Sequence, residues 1–273
     1  MAFLKNSILV LFLMVSSHLF ALKAQRIVSL APSLTKNIYF LGAQDQLLGC
    51  TNYCTEALAD GKEVVASAIK VNVEKTVSLH PDLVLVTTIT SPETIAMLKK
   101  LGVLVEVFET PKNFKEICDQ FIRLGQLTDH QEKAKEIIQQ TTDKINALKS
   151  TISTENQPNV FFQIGADPIF TVLANTFMND YITLAGGENI AGELKHGTMT
   201  RESVLVKNPE YIFIVTMGMT GDSEKQIWQR FDDLAATQQH NIFIVDAEKA
   251  CSPTPITFAD TFENIVHCMN QQR

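Results

Sequence analysis

His196 lies in the segment Lys-His-Gly-Thr-Met, next to Gly197, where a mobile loop would leave its imidazole free to coordinate a metal centre. A closed site for a bare cation does not assemble around it, because His80, His130, His240 and His267 fall at unrelated places in the chain. Cys50 and Cys54 stand at CxxxC spacing without a second cysteine pair or a nearby histidine, so packing or a local disulfide explains them better than zinc. Met217 and Met219, close to a strand end, offer soft pocket walls or ordinary packing. Asp167, before Pro168, has the type of a general base, yet there is no G-x-S-x-G elbow, no H-E-x-x-H, and no base that pairs persuasively with Ser29, Ser33 or Ser203. Gly186 and Gly187 follow no GxGxxG or Walker pattern and read as a turn or a close approach. Reversible binding of a small ligand therefore leads. An exported α/β enzyme is the competing class, and a second catalytic partner would be its mark.

Composition narrows the partner. Charged residues make up 19% and apolar ones 45% of 273 residues, which suits a globular chain with real cores. The formal charge of -7 provides no basic field for nucleic acid. Residues 1–24 read as a secretory leader, with one early Lys, an apolar run over 8–15 and small residues before a cut after Ala24. The run is short against the roughly 20 residues a membrane span needs. All five cysteines follow the leader, so in an oxidising compartment at least one thiol has no partner within the chain.

The elements that must position these residues alternate. Short β-branched runs at 26–30, 83–87, 103–108, 160–163, 211–215 and 242–245 read as buried parallel strands. Between them, Ser33 is placed to cap a helix ending at Gly42, and Ser91 with Pro92 opens another that stops at Gly102. From Asp129 to Ser150 there is no Gly or Pro, and Ala134, Ile137, Ile138, Thr141, Ile145 and Leu148 recur at spacings of three and four. Asp129 is the expected N-cap, with Glu132 completing a capping-box-like pattern. Such a helix is about 30 Å long, enough to cross between lobes. The expected organisation is thus a leader at 1–24, an α/β lobe at 25–128, a bridging helix at 129–150 and a second α/β lobe at 151–273. A Pro-acid pair precedes a strand once in each half, as Pro81-Asp82 and Pro209-Glu210. Trp228 is expected on a surface helix.

Four ordered segments carry a resemblance: RIVSLAPSLTKNIYFLGAQDQLLGCTNYC at 26–54, NVEKTVSLHPDLVLV at 72–86, VFFQIGADPIF at 160–170 and AGGENIAGELKHGTMTRESVLVKNPEYIFIVT at 185–216. Together they resemble the helical-backbone periplasmic substrate-binding proteins of ABC importers, the iron-chelate, haem and vitamin B12 group, with the B12 receptors nearest. The resemblance implies two Rossmann-like α/β lobes joined by a single long α-helix. It further implies a soluble periplasmic monomer that binds cobalamin, haem or a ferric chelate in the interlobe cleft and docks on an ABC permease by its lobe tips. By the same resemblance Glu74 and Glu202 are the permease-docking acids, one per lobe, and Tyr53 is a pocket aromatic. His196, Ile69 and Thr88 fall at or near pocket tryptophans of the B12 receptors, so the aromatic cradle for a corrin face is largely absent. Lys36 stands where the group often has Glu. Cys268 matches a disulfide-bonded cysteine whose partner is here Ala185, which leaves Cys251 as a possible local substitute.

Overall fold

The structure, a computed structural model, describes residues 24–67, 70–153, 156–215 and 221–270. Residues 1–23 of the expected leader, together with Ile69, Met217 and Met219, lie outside the described residues. Ala24, the residue just before the expected cut, is buried and its N–H donates to Leu127 O at 2.9 Å.

In the first half β1 (Ile27–Ser29), α1 (Pro32–Leu41), β2 (Leu47–Thr51), α2 (Thr55–Ala59), β3 (Glu63–Ala66), α3 (Val73–Ser78), β4 (Leu83–Thr87), α4 (Pro92–Lys100) and β5 (Leu104–Phe108) build one sheet. Its order is β3-β2-β1-β4-β5, parallel throughout. Right-handed crossover is the near-universal solution for such units, and it leaves helices over both faces. Ile27, Leu83 and Leu85 face one core while Val28, Val84 and Val86 face the other, which is why these strands are apolar without alternation.

Two long helices follow, α5 (Phe114–Leu127) and α6 (Gln131–Lys149). The second half then contains β6 (Asn159–Ala166), β7 (Ile169–Thr171), α7 (Asn179–Thr183), β8 (Glu188–Asn189), α8 (Arg201–Lys207), β9 (Tyr211–Ile214), α9 (Gly221–Trp228), α10 (Ala235–Gln238), β10 (Ile242–Ile244), α11 (Ala247–Ala250) and α12 (Pro255–Asn270). Its sheet runs β10-β9-β6-β7, with β8 paired to β6; β7 is antiparallel and the rest are parallel.

The bridge expected from the 3.6-residue period is present in α6. Ala134, Ile137 and Ile138 pack in the core of the first lobe, and Ile145 and Leu148 in that of the second. At 1.5 Å per residue the helix is about 28 Å long. The amphipathic segment at 114–127 adds a second crossing. Phe114 and Ile117 of α5 belong to the second core, Phe121, Leu124 and Leu127 to the first, so α5 and α6 cross antiparallel. Ile256 and Phe258 place the start of α12 across the same boundary.

Two caps differ from expectation. Asp129 is not the N-cap of α6: it has φ 63°, while His130 N donates to Gly125 O at 2.7 Å, the bond that closes a Schellman turn at the end of α5. A residue in that left-handed conformation terminates one helix and cannot cap the next, so α6 starts at Gln131. Ser33 is the second residue of α1 rather than its cap; Pro32, with φ already set for a first helical turn, starts the helix two residues earlier than a Ser33 cap would. Ser91 does cap α4, its side chain accepting from Thr94 N.

The repeated junction is closer than the Pro-acid pair alone indicated. His80 (φ 48°) and Asn208 (φ 45°) both turn left-handed before the proline. Asp82 N donates to Arg26 O and Asp82 Oδ2 accepts from Arg26 N at 3.0 Å; Glu210 N donates to Asn159 O and Glu210 Oε2 accepts from Asn159 N at 2.9 Å. Each acid thus aligns the start of the neighbouring strand in its own lobe.

The α5–α6 contact depends on Gly125, where an added Cβ would lie 2.8 Å from the Ala134 Cβ and 3.2 Å from His130 O. Gly125→Val should lower stability by about 1–3 kcal/mol through overpacking, read as a fall in the urea midpoint at constant slope. An unchanged midpoint would show that the helices can separate at no cost.

Candidate functional site

In an open parallel sheet the loops that leave the carboxyl ends of the strands form the ligand-facing edge. Tyr53 follows β2 and Thr88 follows β4, with β1 between them, so the two positions are about 10 Å apart along that edge. Tyr53 is 59% exposed, and its N–H donates to Thr51 Oγ1 at 3.2 Å, fixing a turn that presents the ring outward. Thr88 is exposed and its N–H donates to Phe108 O at 3.2 Å. On either side of positions 68 and 69, Ser67 N donates to Lys70 O and Ala66 bridges Val71. Asn52, Ser67, Lys70 and Asn72, with Thr94 and Met97 of α4, line a depression of about 770 Å³ beside the Tyr53 turn.

His196 belongs to the second lobe. The strand β7 folds back on the carboxyl half of β6, and the segment after His196 pairs with β7 in turn: Thr171 N donates to Gly197 O at 2.8 Å and Met199 N to Ile169 O at 3.1 Å. His196 is thus an exposed residue on a short flap at the carboxyl end of β6. Phe170 shares this flap. It is 44% exposed, and its ring packs where Gly165 has no side chain, since a Cβ there would lie 3.0 Å from the ring. Its exposed ring is an aromatic wall beside His196 that the sequence reading missed; its neighbour in register, Gly165, was the signal available.

Glu74 and Glu202 occupy the same local place. Each is the second residue of a short helix whose cap side chain is engaged, Asn72 Oδ1 accepting from Lys75 N at 2.9 Å and Thr200 Oγ1 from Ser203 N at 3.2 Å. Both are exposed. Hydrogen bonds from its own backbone N–H and the Thr200 hydroxyl hold the Glu202 carboxyl below the usual carboxylate range, with the Arg201 charge adding a smaller pull.

Arg201 itself turns inward, into a network that sequence gave little reason to expect. Its Nη2 donates to Glu224 Oε2 at 3.0 Å, and its guanidinium lies 4.4 Å from the centre of the Trp228 ring. Gln163 Nε2 donates to the same Glu224 oxygen at 2.9 Å and to Gly165 O at 3.0 Å, while Gln163 Oε1 accepts from Trp228 Nε1 at 2.7 Å. Trp228 is therefore not a surface residue: it is fully buried, edge-on to Phe161. The charged neighbours of Trp228 concealed an inner face of α9 that only the polar partners on β6 and α8 reveal.

The cysteines are all free thiols. Cys251 and Cys268 are both free, so the local substitute bridge is not formed. Ala185 is buried in the cluster against which Cys268 packs. Lys36 pairs with Glu56 at 3.5 Å. Among the described residues no group of three or more His, Cys, Asp or Glu side chains could hold a metal ion.

Residues 27–248 match the family model described as periplasmic binding protein. A vitamin B12-binding protein of Yersinia pestis (strain Pestoides F) is 28% identical over 209 residues, 75% of this chain and 74% of that protein. The periplasmic vitamin B12 binding protein of Vibrio cholerae shares the fold with a TM-score of 0.79 at 26% identity, over 92% of this chain and 98% of that one. The periplasmic haem-binding protein of Vibrio cholerae reaches the same TM-score at 18% identity, covering 90% and 99%, a likeness of fold alone. Two parallel-sheet lobes seamed by long helices, with exposed side chains gathered at the strand ends and a family match over most of its length, make this chain a member of the periplasmic binding protein family.

Proposed function

We propose that this protein captures a bulky metal-containing organic complex, cobalamin, haem or a ferric chelate, at the carboxyl edges of its two sheets and delivers it to an ABC permease. The observation that carries this reading is the placement of Tyr53 and Thr88 on one such edge and of His196 with Phe170 on the other. The B12-binding relatives support the ligand class, and no bond need be made or broken: apolar enclosure supplies affinity and a few polar groups set orientation. Glu74 and Glu202, set alike on helices of the two lobes, are the permease contacts in this reading, and paired charges on separate lobes would fix docking orientation. As a periplasmic binding protein, the chain works outside the cytoplasmic membrane.

Titration calorimetry against cyanocobalamin, haemin and ferrichrome tests the class directly. Tight binding to one of them is expected; binding to none of the three, with tight binding of a sugar or a bare divalent cation, overturns it. Within that reading Tyr53→Ala should weaken the bound probe roughly two- to tenfold, the loss of one aromatic contact worth about 0.5–1.5 kcal/mol beyond area, with an unchanged melting temperature. His196→Ala should shift the visible spectrum of bound haemin or cobalamin if the imidazole ligates the metal, and leave it in place if His196 is only a wall. Reversing both acids, Glu74→Lys with Glu202→Lys, should abolish or severely weaken permease binding while the ligand Kd stays within about twofold, because the salt-bridge sites lie on the helix starts and not on the strand-end loops. A collapse of ligand affinity with intact permease binding would exchange the assigned roles.

A further inference from the structure

We propose that Cys50 and Cys54 are a redox-active dithiol, and that its closure to a disulfide clamps the turn that carries Tyr53. The sequence between the cysteines is that turn. Cys50 is the fourth residue of β2, Cys54 immediately precedes α2, and Cys54 N donates to Thr51 O at 3.2 Å, which folds the second cysteine back on the first. Both side chains are buried in the same core cluster, 0% and 1% exposed, and the Cys50 thiol is within hydrogen-bonding reach of the Cys54 sulfur. In the reduced form the Cys54 sulfur also meets Thr51 Oγ1 at 3.3 Å and donates to Thr35 Oγ1 at 3.2 Å; the Thr35 hydroxyl donates onward to Ala31 O, and Thr51 Oγ1 accepts from Tyr53 N. One sulfur thus ties the Tyr53 turn to α1.

The two thiols are unequal. Donation from Cys50 favours the Cys54 thiolate, with help from the Thr51 hydroxyl, and outweighs the opposing effect of burial, whereas that same hydrogen bond and burial push Cys50 up. Burial raises Cys118 to about 12 and also raises Cys251 and Cys268, so among the five cysteines the thiolate is favoured at Cys54. The oxidant is an external disulfide, RSSR, reached while the turn is open. The Cys54 thiolate attacks one of its sulfurs and expels RS⁻; the Cys50 proton passes to that thiolate. The Cys50 thiolate then attacks the Cys54 sulfur and expels a second RS⁻, which takes a proton from solvent. Two thiols are oxidised by two electrons, one external disulfide is reduced, and the Cys54 bond to Thr35 is exchanged for a covalent bond to β2.

That Tyr53 is ligand-facing rests on the function proposed above; the chemistry of the pair does not. The full-length exported protein is equilibrated with reduced or oxidised glutathione, acid-quenched, unfolded and alkylated. Intact mass should show two fewer alkylated thiols after oxidation, with peptide mapping linking residues 50 and 54. Hydrogen exchange of the peptide spanning 51–58 should slow at least fivefold on oxidation, and the affinity for whichever of cyanocobalamin or haemin binds should change at least threefold. Both changes should vanish in Cys50→Ala and, should that variant not fold, in Cys54→Ala. Full alkylation after oxidation, or a bridge to Cys118, Cys251 or Cys268, overturns the pair. A 50–54 bridge without slower exchange overturns the clamp. If neither probe binds in either redox form, the ligand assignment fails while the thiol count and the exchange still decide this proposal.

Discussion

Packing between α5 and α6 is the constraint on which the rest of the molecule depends. Each helix contributes side chains to both lobe cores, so neither core is complete without the seam, and Gly125 against Ala134 brings the two backbones closer than a pair of larger side chains would allow. A seam of helices differs from a hinge of loops. Movement of one lobe against the other has to bend or slide close-packed helices, which costs dispersion contacts along their length. The strand-end loops of the two lobes, the Tyr53 turn and the Phe170 flap among them, are therefore carried on a stiff frame.

The two lobes repeat one construction. A short capped helix with an exposed acid at its second position leads through a left-handed residue and a proline into a strand, and the acid after that proline holds the backbone at the start of the neighbouring strand. The repetition explains why Glu74 and Glu202 are equivalent without being close in sequence. It also separates two roles for acids a few residues apart: Asp82 and Glu210 are consumed by backbone N–H groups, while Glu74 and Glu202 remain available to a partner.

Much of this was legible in the sequence because period and punctuation agreed. The strands around Val28, Leu85, Phe162 and Ile212 are apolar on both faces, and α6 keeps its stripe through five turns. What stayed hidden had a physical reason in each case. The strand β2, Leu-Leu-Gly-Cys-Thr, is short and interrupted by a glycine that admits Leu79 at 3.0 Å from where its Cβ would be. Asp129 looked like a cap because side-chain type does not reveal backbone hand. Trp228 looked exposed because its burial depends on Gln163, 65 residues earlier, and on Arg201, and a long-range polar network leaves no periodic trace. The residues proposed to face the ligand were assigned through family likeness rather than through their own pattern, and Phe170, with no motif of its own, needed the flap to be seen.

The inward turn of Arg201 alters what the Thr-Arg-Glu triplet presents. Read as letters, the basic and acidic residues cancel. In the folded chain the guanidinium is taken up by Glu224 and the Trp228 ring, and Glu224 is itself 6% exposed, so that pair contributes little to the outer field. The surface of α8 is then anionic at Glu202, and the helix-start amide dipoles beneath it keep the carboxylate ionised well into mildly acidic conditions. A cationic partner approaching this helix meets an unscreened charge at short range, and its encounter rate should fall steeply as ionic strength contracts the Debye length from about 30 Å at 0.01 M to about 8 Å at 0.15 M.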